Sequence, residues 1–501
     1  MNFNSKTEKR CHYASLALFG FFGQVAWCVE NSFLNLYVYR TITTDLGIVS
    51  AMVASSAVVA TLTTIIMGWV TDRIGKRRPF MVYGYLLWGI SVAAFALCSI
   101  QNMQTLFNLD RAAAVTAAAV GMVVVDCIMT FFGSTANDAA FNAWVTDTTD
   151  STNRGKTEAF LSILASAAYV VVFLPFEAFG ITANKYYDAS GAQVTSPVDG
   201  GTTVTGNWLL FYLLIGGLVL ASAVAGFFIL KDAPDLKPQR NMPFKELFYG
   251  FRPSVIKRNK YLYLVFLTLA IEMMANNCFF NYLIIYLENT MRCADYLWGG
   301  YLIPMGLIYG LGMAAGLIVG IILDKRNDKA KFILPGICVA VVGAVGMYFC
   351  SPQFMPVGQT TLWLFCVAAL IQATGHSIVT VVCLATIRNL TPAGKVGRFQ
   401  GIRMVFYVAL PMALGSIVSG VVSSSDKYIT GYDEFGHAVY TCPPVIFLLT
   451  AIVSVFAIIP TIFLLKAPQG ALLKPAPDEE AYLCKDVQEQ VLMTYKMKYN
   501  R

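Results

Sequence analysis

Residues 45–100 read DLGIVSAMVASSAVVATLTTIIMGWVTDRIGKRRPFMVYGYLLWGISVAAFALCSI. Two long uncharged runs flank a short turn, Thr71 to Arg78, which gathers the acid Asp72 with the bases Arg73, Lys76, Arg77 and Arg78. A helix crossing the hydrocarbon core of a bilayer needs about 20 mainly apolar residues, and each run reaches that length. Neither run alternates in polarity, which excludes barrel strands of roughly ten residues. The stretch therefore reads as a membrane hairpin: a helix in, a basic turn, a helix out.

The same unit recurs outward from it. Twelve apolar stretches, spans I to XII, lie at about 13–39, 45–71, 79–100, 116–144, 158–181, 207–230, 260–287, 297–323, 332–350, 361–386, 398–422 and 444–466. The 501-residue chain is 57% hydrophobic and 13% charged, with mean hydropathy +0.61, where soluble domains carry about 25% charged residues. A water-soluble protein is excluded. The 39 Gly and 19 Pro fit membrane helices, whose neighbours re-satisfy freed backbone groups. The fold class predicted is an all-α membrane protein of twelve transmembrane helices in two pseudo-symmetric six-helix bundles.

Charge sets the orientation. Of the 36 Lys and Arg, all but Arg40, Arg111, Lys185, Arg292 and Lys427 fall in the two tails or the connections after even-numbered spans. The positive-inside rule then places both termini in the cytoplasm. The net charge of +7 belongs to loops facing anionic headgroups and calls for no nucleic-acid partner. The N-terminus runs into a full-length span with no small-residue cleavage site, so it reads as span I and not as a removed signal. Outer connections hold no N-x-[ST] sequon, which favours a bacterial inner membrane. Most cysteines lie within spans as small hydrophobes; C-x-x-C spacing is absent and no metal site is expected. Cys293 and Cys442 fall in outer connections, where pairing is open.

The chain reads as a duplication. Residues 1–230 hold six spans, 231–259 form a cytoplasmic connection, 260–466 hold six more, and 467–501 are a cytoplasmic tail. Asn31, Phe33 and Asn35 align with Asn277, Phe279 and Asn281. Gly68 and Asp72 align with Gly320 and Asp324, and Gly155, Lys156 and Phe160 with Gly394, Lys395 and Phe399. Shared membrane composition explains matched aromatics but not matched Gly and Asp. Two halves with the same in-out sense are the plan of a rocking transporter with its site between them.

The string G-x-x-x-D-R-x-G-K-R from Gly68 to Arg77 resembles the signature of the major facilitator superfamily between its second and third helices. The resemblance implies a conformational gate made of Gly68, Asp72 and Arg73 with the echo at Asp324. In that gate Gly68 permits close helix approach, and Asp72 with Arg73 forms an inter-helix charge lock. Lys76, Arg77 and Arg78 read as topology charges. DTTDSTNRGKTEAF after span IV is similar to the glycoside, pentoside and hexuronide cation symporters, and GQVAWCVEN with DRIGKRRPF to sucrose-type transporters. The chain departs from the first pattern in having no acid in span II before Asp72, and Ala409 where the melibiose type has an intramembrane Lys.

Four acids lie inside spans: Glu30, Asp126, Asp138 and Glu272. A charge at mid-bilayer costs about 2.5 to 3.5 kcal/mol on insertion scales, so each must be protonated, paired, hydrated or useful. They are the candidates for ion coupling, with Glu30 first, and Asp138 matches the acid of the sugar symporters' helix IV. Helical spacing aligns Gln24, Trp27, Asn31 and Asn35 on span I, Asn142 with Ser134 and Asp138 on span IV, and Asn277 with Asn281 on span VII. With Gln372 and His376 of span X these are the candidate substrate contacts, the amides for hydroxyls and Trp27 for an apolar ring face. His376 reads either as a proton relay or as a satisfied core histidine. Trp144 reads either as a second aromatic for a sugar ring or as an interface anchor, Arg403 as a side chain snorkelling to the inner surface, and Pro304 and Pro411 as kinks.

The expected function is secondary active transport of a small polar solute, a sugar or glycoside, coupled to a proton or sodium gradient. Rivals are transport of drugs, organic ions, nucleosides or peptides, uncoupled facilitation, and a non-transporting sensor or lipid handler. No P-loop, H-E-x-x-H or G-x-S-x-G motif occurs, so an enzyme is not expected. No cofactor is expected beyond the coupling H+ or Na+. The partners are the solute and the lipid bilayer, and the protein is expected to be a monomer.

Overall fold

A computed structural model describes residues 6–148, 154–178, 181, 185–187, 193–194, 202–204, 206–233, 236, 238, 244–297, 300–301, 304–306, 308, 312, 329–391, 396–432, 438–468 and 471–472. Among them ten helices are long and apolar enough to span a membrane. Numbered by the spans above, they are I (Thr7–Thr41), II (Leu46–Ile74), III (Arg78–Leu97), IV (Arg111–Thr148), VI (Trp208–Ile229), VII (Lys260–Thr290), IX (Ala330–Phe349), X (Gln359–Ile387), XI (Gly401–Ser423) and XII (Val445–Leu465). Helix V is Arg154–Ala178. Most of span VIII lies outside the described residues, and Gly320 and Asp324 with it.

The opening hairpin folds as its sequence dictates. The Asp45 carboxylate caps helix II by accepting from the Gly47 N–H at 2.8 Å. Helix II ends at Ile74 because Gly75 turns left-handed at φ 69°, a conformation open to glycine. Pro79 stands in the first turn of helix III, where its missing N–H costs nothing. Asp110 and Asn207 cap helices IV and VI in the same way.

Helices I to VI pack together, VII and IX to XII pack together, and II lies along XI between the two sets. Small residues set the closest approaches. A Cβ on Gly89 of helix III would stand 2.7 Å from the Gly216 carbonyl of helix VI, and one on Gly375 of helix X 2.3 Å from the Ala340 nitrogen of helix IX. One apolar core runs through the first half and continues into the ends of VII, IX, X and XII around Tyr286, Phe365 and Phe447. A second, around Phe266, Ile337, Val379 and Ile402, lies in the second half and takes in Tyr249 and Val255 of the connection before it.

Two features modify the expectation of plain α-helices. Short antiparallel strands occupy two connections: Lys185–Tyr187 pairs with Gln193–Val194 and Thr202–Val204, and Ile429–Tyr432 pairs with Ala438–Tyr440. Helices I, IV, VII and XI each contain a π-helical stretch, at Val29–Leu34, Ser134–Phe141, Tyr286–Thr290 and Val405–Ala409. Such wide turns leave backbone groups unsatisfied and concentrate at functional sites. Cys293 and Cys442 are both free thiols and fully buried.

Candidate functional site

Glu30 sits in the π-helical stretch of helix I, 8% exposed, facing the protein and not the lipid. Its Oε1 accepts from Ser56 Oγ of helix II at 2.6 Å and from Thr130 Oγ1 of helix IV at 3.0 Å. Those two hydroxyls stand 2.7 Å from each other. Asp126, one turn before Thr130 and 1% exposed, lies within electrostatic reach of Glu30 and Ser56. Glu30 Oε2 and Asp126 Oδ1 are buried without a hydrogen-bond partner among the described residues. The three helices thus enclose two acids and two hydroxyls, a set of hard oxygens suited to a proton or a small cation.

Toward the basic end, the π-helical stretch of helix IV presents Asn137 and Asp138. The Asn137 amide donates to Tyr85 Oη at 2.6 Å, and its Oδ1 accepts from Trp27 Nε1 at 3.4 Å. Tyr85 in turn donates to the Phe19 carbonyl at 2.6 Å. Trp27 packs on Trp88 with centroids 5.0 Å apart. Asp138 accepts from Ser134 Oγ at 3.0 Å and is only half-buried. Asn142 is exposed and donates to the Asn137 and Asp138 carbonyls; Gln24 is half-buried.

The asparagines obey the duplication. Asn31 donates to the Trp27 carbonyl and Asn277 to that of Met273, at 2.8 and 2.9 Å. Asn35 donates to the Asn31 carbonyl and Asn281 to that of Asn277. Asn35 also reaches the Asn281 carbonyl at 3.4 Å, and Asn281 the Ser416 hydroxyl at 2.9 Å. Four of these bonds stay within helix I or VII, and the Asn35–Asn281 and Asn281–Ser416 bonds join one helix to another. Glu272 lies apart from Glu30, inside the second half: its Oε2 accepts from Ser454 Oγ of helix XII at 2.6 Å, and its Oε1 stands 3.4 Å from His376 Nδ1. Gln372, 2% exposed, backs onto Gly343 of helix IX.

A family model described as Major Facilitator Superfamily matches residues 16–360 and 337–496. The chain belongs to the major facilitator superfamily. No curated protein matches it significantly in sequence. Its fold is similar to that of the nucleoside transporter NupG, at TM-score 0.62 and 12% identity over 91% of this chain and 99% of that one. An inward-open structure of the xylose transporter XylE from E. coli matches at 0.60 and 13%, over 90% and 95%. A bacterial homologue of the iron transporter ferroportin, in an inward-facing state, matches at 0.62 and 14%, over 91% and 98%. The superfamily is one of transporters and not of enzymes, and membership makes this an integral multi-pass membrane protein that handles a small solute.

The superfamily signature is built differently from its sequence reading. Asp72 pairs with Arg77, and Arg73 instead lies 5.1 Å over the Trp69 ring. Arg77, read above as a topology charge, is 4% exposed: Nε donates to Asp147 of helix IV at 3.0 Å, Nη1 to Thr71 Oγ1 at 2.6 Å, and its backbone N–H to Asp232 at 2.8 Å. A guanidinium fork can serve several acceptors at once, which Arg73, pointing outward, does not. Burial lowers the affinity of Arg77 for its proton, but Asp72 and Asp147 outweigh it and hold the group above its ordinary value. Gly68 makes no close approach, since a Cβ there would meet nothing within 4 Å among the described residues; Gly75 is the tight position, 2.7 Å from Pro238 N. Trp144 is buried, donating to the Lys231 carbonyl at 2.8 Å, and is no interface anchor.

Sequence reasoning missed Ser56, Tyr85 and Ser454. Each is a polar residue set singly in an apolar helix, the kind that lipid tolerates only with a partner. It also missed the bonds between the halves. Arg40 pairs with Glu288, Tyr39 Oη donates to the Tyr440 carbonyl at 2.8 Å, and Ser424 Oγ donates to Asp45 at 3.0 Å. Ser50 and Tyr282 share a hydrogen bond across the same seam.

Proposed function

We propose that the chain is a secondary active transporter of a small polar solute, a sugar or glycoside, in which residues 1–230 and 260–466 rock about a central site and Glu30 with Asp126 carries the coupling ion. It acts as a monomer in a bacterial inner membrane. The observation that carries this reading is the oxygen triangle at Glu30. Three contacts of 2.6, 2.7 and 3.0 Å join Ser56 Oγ, Thr130 Oγ1 and Glu30 Oε1. Two hydroxyls supply two hydrogens, and with both given to Oε1 the Ser56–Thr130 contact holds none; a proton on the carboxyl, donated to Thr130 while Thr130 turns to donate to Ser56, would complete the ring and remove the buried charge. A proton is therefore the favoured coupling ion, and sodium the rival, since oxygen ligands suit it too. All three oxygens belong to residues 1–230, so rocking would tie protonation to one conformation by admitting water to the triangle in one state and excluding it in the other.

The test is uptake into proteoliposomes across a panel of sugars under separately imposed proton and sodium gradients. Proton-driven accumulation is expected, abolished in Glu30→Gln while solute exchange without a gradient survives. Accumulation driven by sodium alone removes the proton from the reading, undiminished accumulation in Glu30→Gln removes Glu30, and uptake of no sugar removes the substrate class.

A further inference from the structure

The last part of the connection between the halves is folded, and its two sides differ. Phe244–Phe251 is a 3-10 run and Pro253–Arg258 a short α-helix that leads into helix VII. One side is bolted to the second half. A Cβ on Gly250 would stand 1.7 Å from Ile402 of helix XI, so the backbone lies directly on that side chain, and Tyr263 Oη of helix VII donates to the Gly250 carbonyl. Tyr249 meets Phe399 edge-on with centroids 6.4 Å apart, and Tyr249 and Val255 belong to the core around Phe266 and Ile402. The other side is open: Phe248, Phe251, Arg252, Ile256, Lys257 and Lys260 are exposed. Phe248 and Phe251 are three residues apart, a spacing at which side chains of a 3-10 run eclipse.

We infer that the open side is a binding site for anionic phospholipid, with Phe248, Phe251 and Ile256 in the acyl boundary of the leaflet and Lys257, Lys260 and Arg252 on its phosphates. Charge complementarity selects the lipid. From Phe248 to Lys260 the chain holds four bases and no acid, and Lys245 and Glu246 just before cancel. The turns of helices VII and XI packed beneath, residues 261–266 and 396–403, add Arg398 and Arg403 and again no acid. Lys257 and Lys260 have no carboxylate partner among the described residues; Lys260 Nζ lies 5.0 Å over the Tyr261 ring. Exposed rings and a branched side chain mark a surface that something apolar covers. The segment ends where a spanning helix begins, at the level where rings enter the acyl boundary and bases reach headgroups. A helix-wrapping protein partner needs a free helix to enclose, and here Tyr249, Gly250 and Val255 are already spent on the second half. Lipid held by the segment is therefore held by helices VII and XI. The inference does not depend on what the chain transports.

Native mass spectrometry of the full chain in non-ionic detergent tests this. The probes are phosphatidylglycerol and phosphatidylcholine with identical acyl chains, supplied together in equal amounts. The wild type is expected to retain the anionic lipid over the neutral one by about tenfold or more. Each basic side chain at an anionic surface contributes about fivefold, so Lys257→Gln combined with Lys260→Gln should bring the ratio close to parity. Lys76→Gln removes an exposed base from the turn after helix II and should leave the ratio unchanged. Phe251→Ser should lower retention of both lipids alike, because it removes apolar contact and no charge. Melting temperature reports folding, and Ile256→Ser replaces Phe251→Ser if the latter unfolds. Equal retention of the two lipids by the wild type overturns the inference, as does a ratio that survives loss of both lysines. A ratio that falls as far in Lys76→Gln overturns it too, since the preference would then follow net charge and not this segment. Undiminished retention in the folded serine variant removes the apolar anchor and with it the site. Displacement of phosphatidylglycerol by an equal amount of inorganic phosphate assigns the bases to a soluble anion and overturns the lipid.

Discussion

The two ends of the bundle are joined in opposite ways. At the basic end the apolar core of the second half is separate from that of the first, and Arg77 spends its bonds on Asp72, Thr71 and Asp147 of its own half and on Asp232 just beyond it. At the other end a single core crosses from half to half, and polar bonds cross with it: Arg40 to Glu288, Tyr39 to the Tyr440 carbonyl, Ser424 to Asp45, and Ser50 to Tyr282. The difference teaches where each kind of interaction acts. The basic network stiffens one half against itself, while under the proposed rocking the far end is the seam that would part. Alternating access requires that this seam be strong enough to close and weak enough to open.

The largest effect is expected at the ion pair. Arg40 has a side chain 4% exposed and Glu288 one 21% exposed. Arg40→Ala takes the guanidinium away from a mostly buried carboxylate, which should cost about 3 kcal/mol and lower the melting temperature. The loss should fall on the seam. Cys293 and Cys442, both fully buried near it, should then react faster with an impermeant maleimide. Arg40→Met combined with Glu288→Leu should recover most of the stability, because a matched apolar pair leaves no charge behind. Slow labelling in a folded Arg40→Ala variant would detach the ion pair from the seam.

Arg77→Ala is the contrasting substitution and should cost about 2 kcal/mol, because Asp72 and Asp147 have side chains 30% and 24% exposed and water compensates them partly. Labelling of Cys293 and Cys442 should not change, since no bond of Arg77 crosses the seam. The guanidinium is held above its ordinary value. A raised group contributes fully below its unfolded value and loses that contribution only as pH rises through its folded one. The gap in melting temperature between wild type and variant should therefore stay flat from about pH 7 to about pH 10. A gap that closes on the alkaline side would mean that Arg77 is not paired as described.

Much of this was legible in the sequence because lipid makes simple demands. Length and apolarity gave ten of the spans within a few residues, and the aligned Asn31 and Asn35 against Asn277 and Asn281 reappear as the same amide-to-carbonyl bonds. Burial of Glu30 and Asp126 followed from the cost of charge in hydrocarbon. What was not legible is which partner a polar group selects. Asp72 has bases one and five residues on, and only the left-handed turn at Gly75 brings the farther one, Arg77, back onto it. Arg403 reads as a snorkelling side chain by its distance from the loop. It is instead half-buried, just before the wide turn of helix XI, which no apolar period signals.

The smallest test separates the seam into its parts. Tyr440 is held through its backbone alone: its carbonyl accepts from Tyr39 Oη at 2.8 Å, and its N–H lies 3.4 Å from Thr44 Oγ1. Both donor and acceptor side chains come from the first half, and the strand Ala438–Tyr440 that carries Tyr440 belongs to the second. Tyr39→Phe removes one hydrogen bond without opening a cavity and should cost about 1 kcal/mol. Replacing Tyr440 itself by Phe should cost much less, because the bonds run to its main chain. If the two substitutions accelerate cysteine labelling equally, the side chain and not the backbone of Tyr440 closes the seam. If Tyr39→Phe alone does so, the short hairpin between helices XI and XII is the strap that holds the first half, and its register, not its side chains, sets how tightly that end shuts.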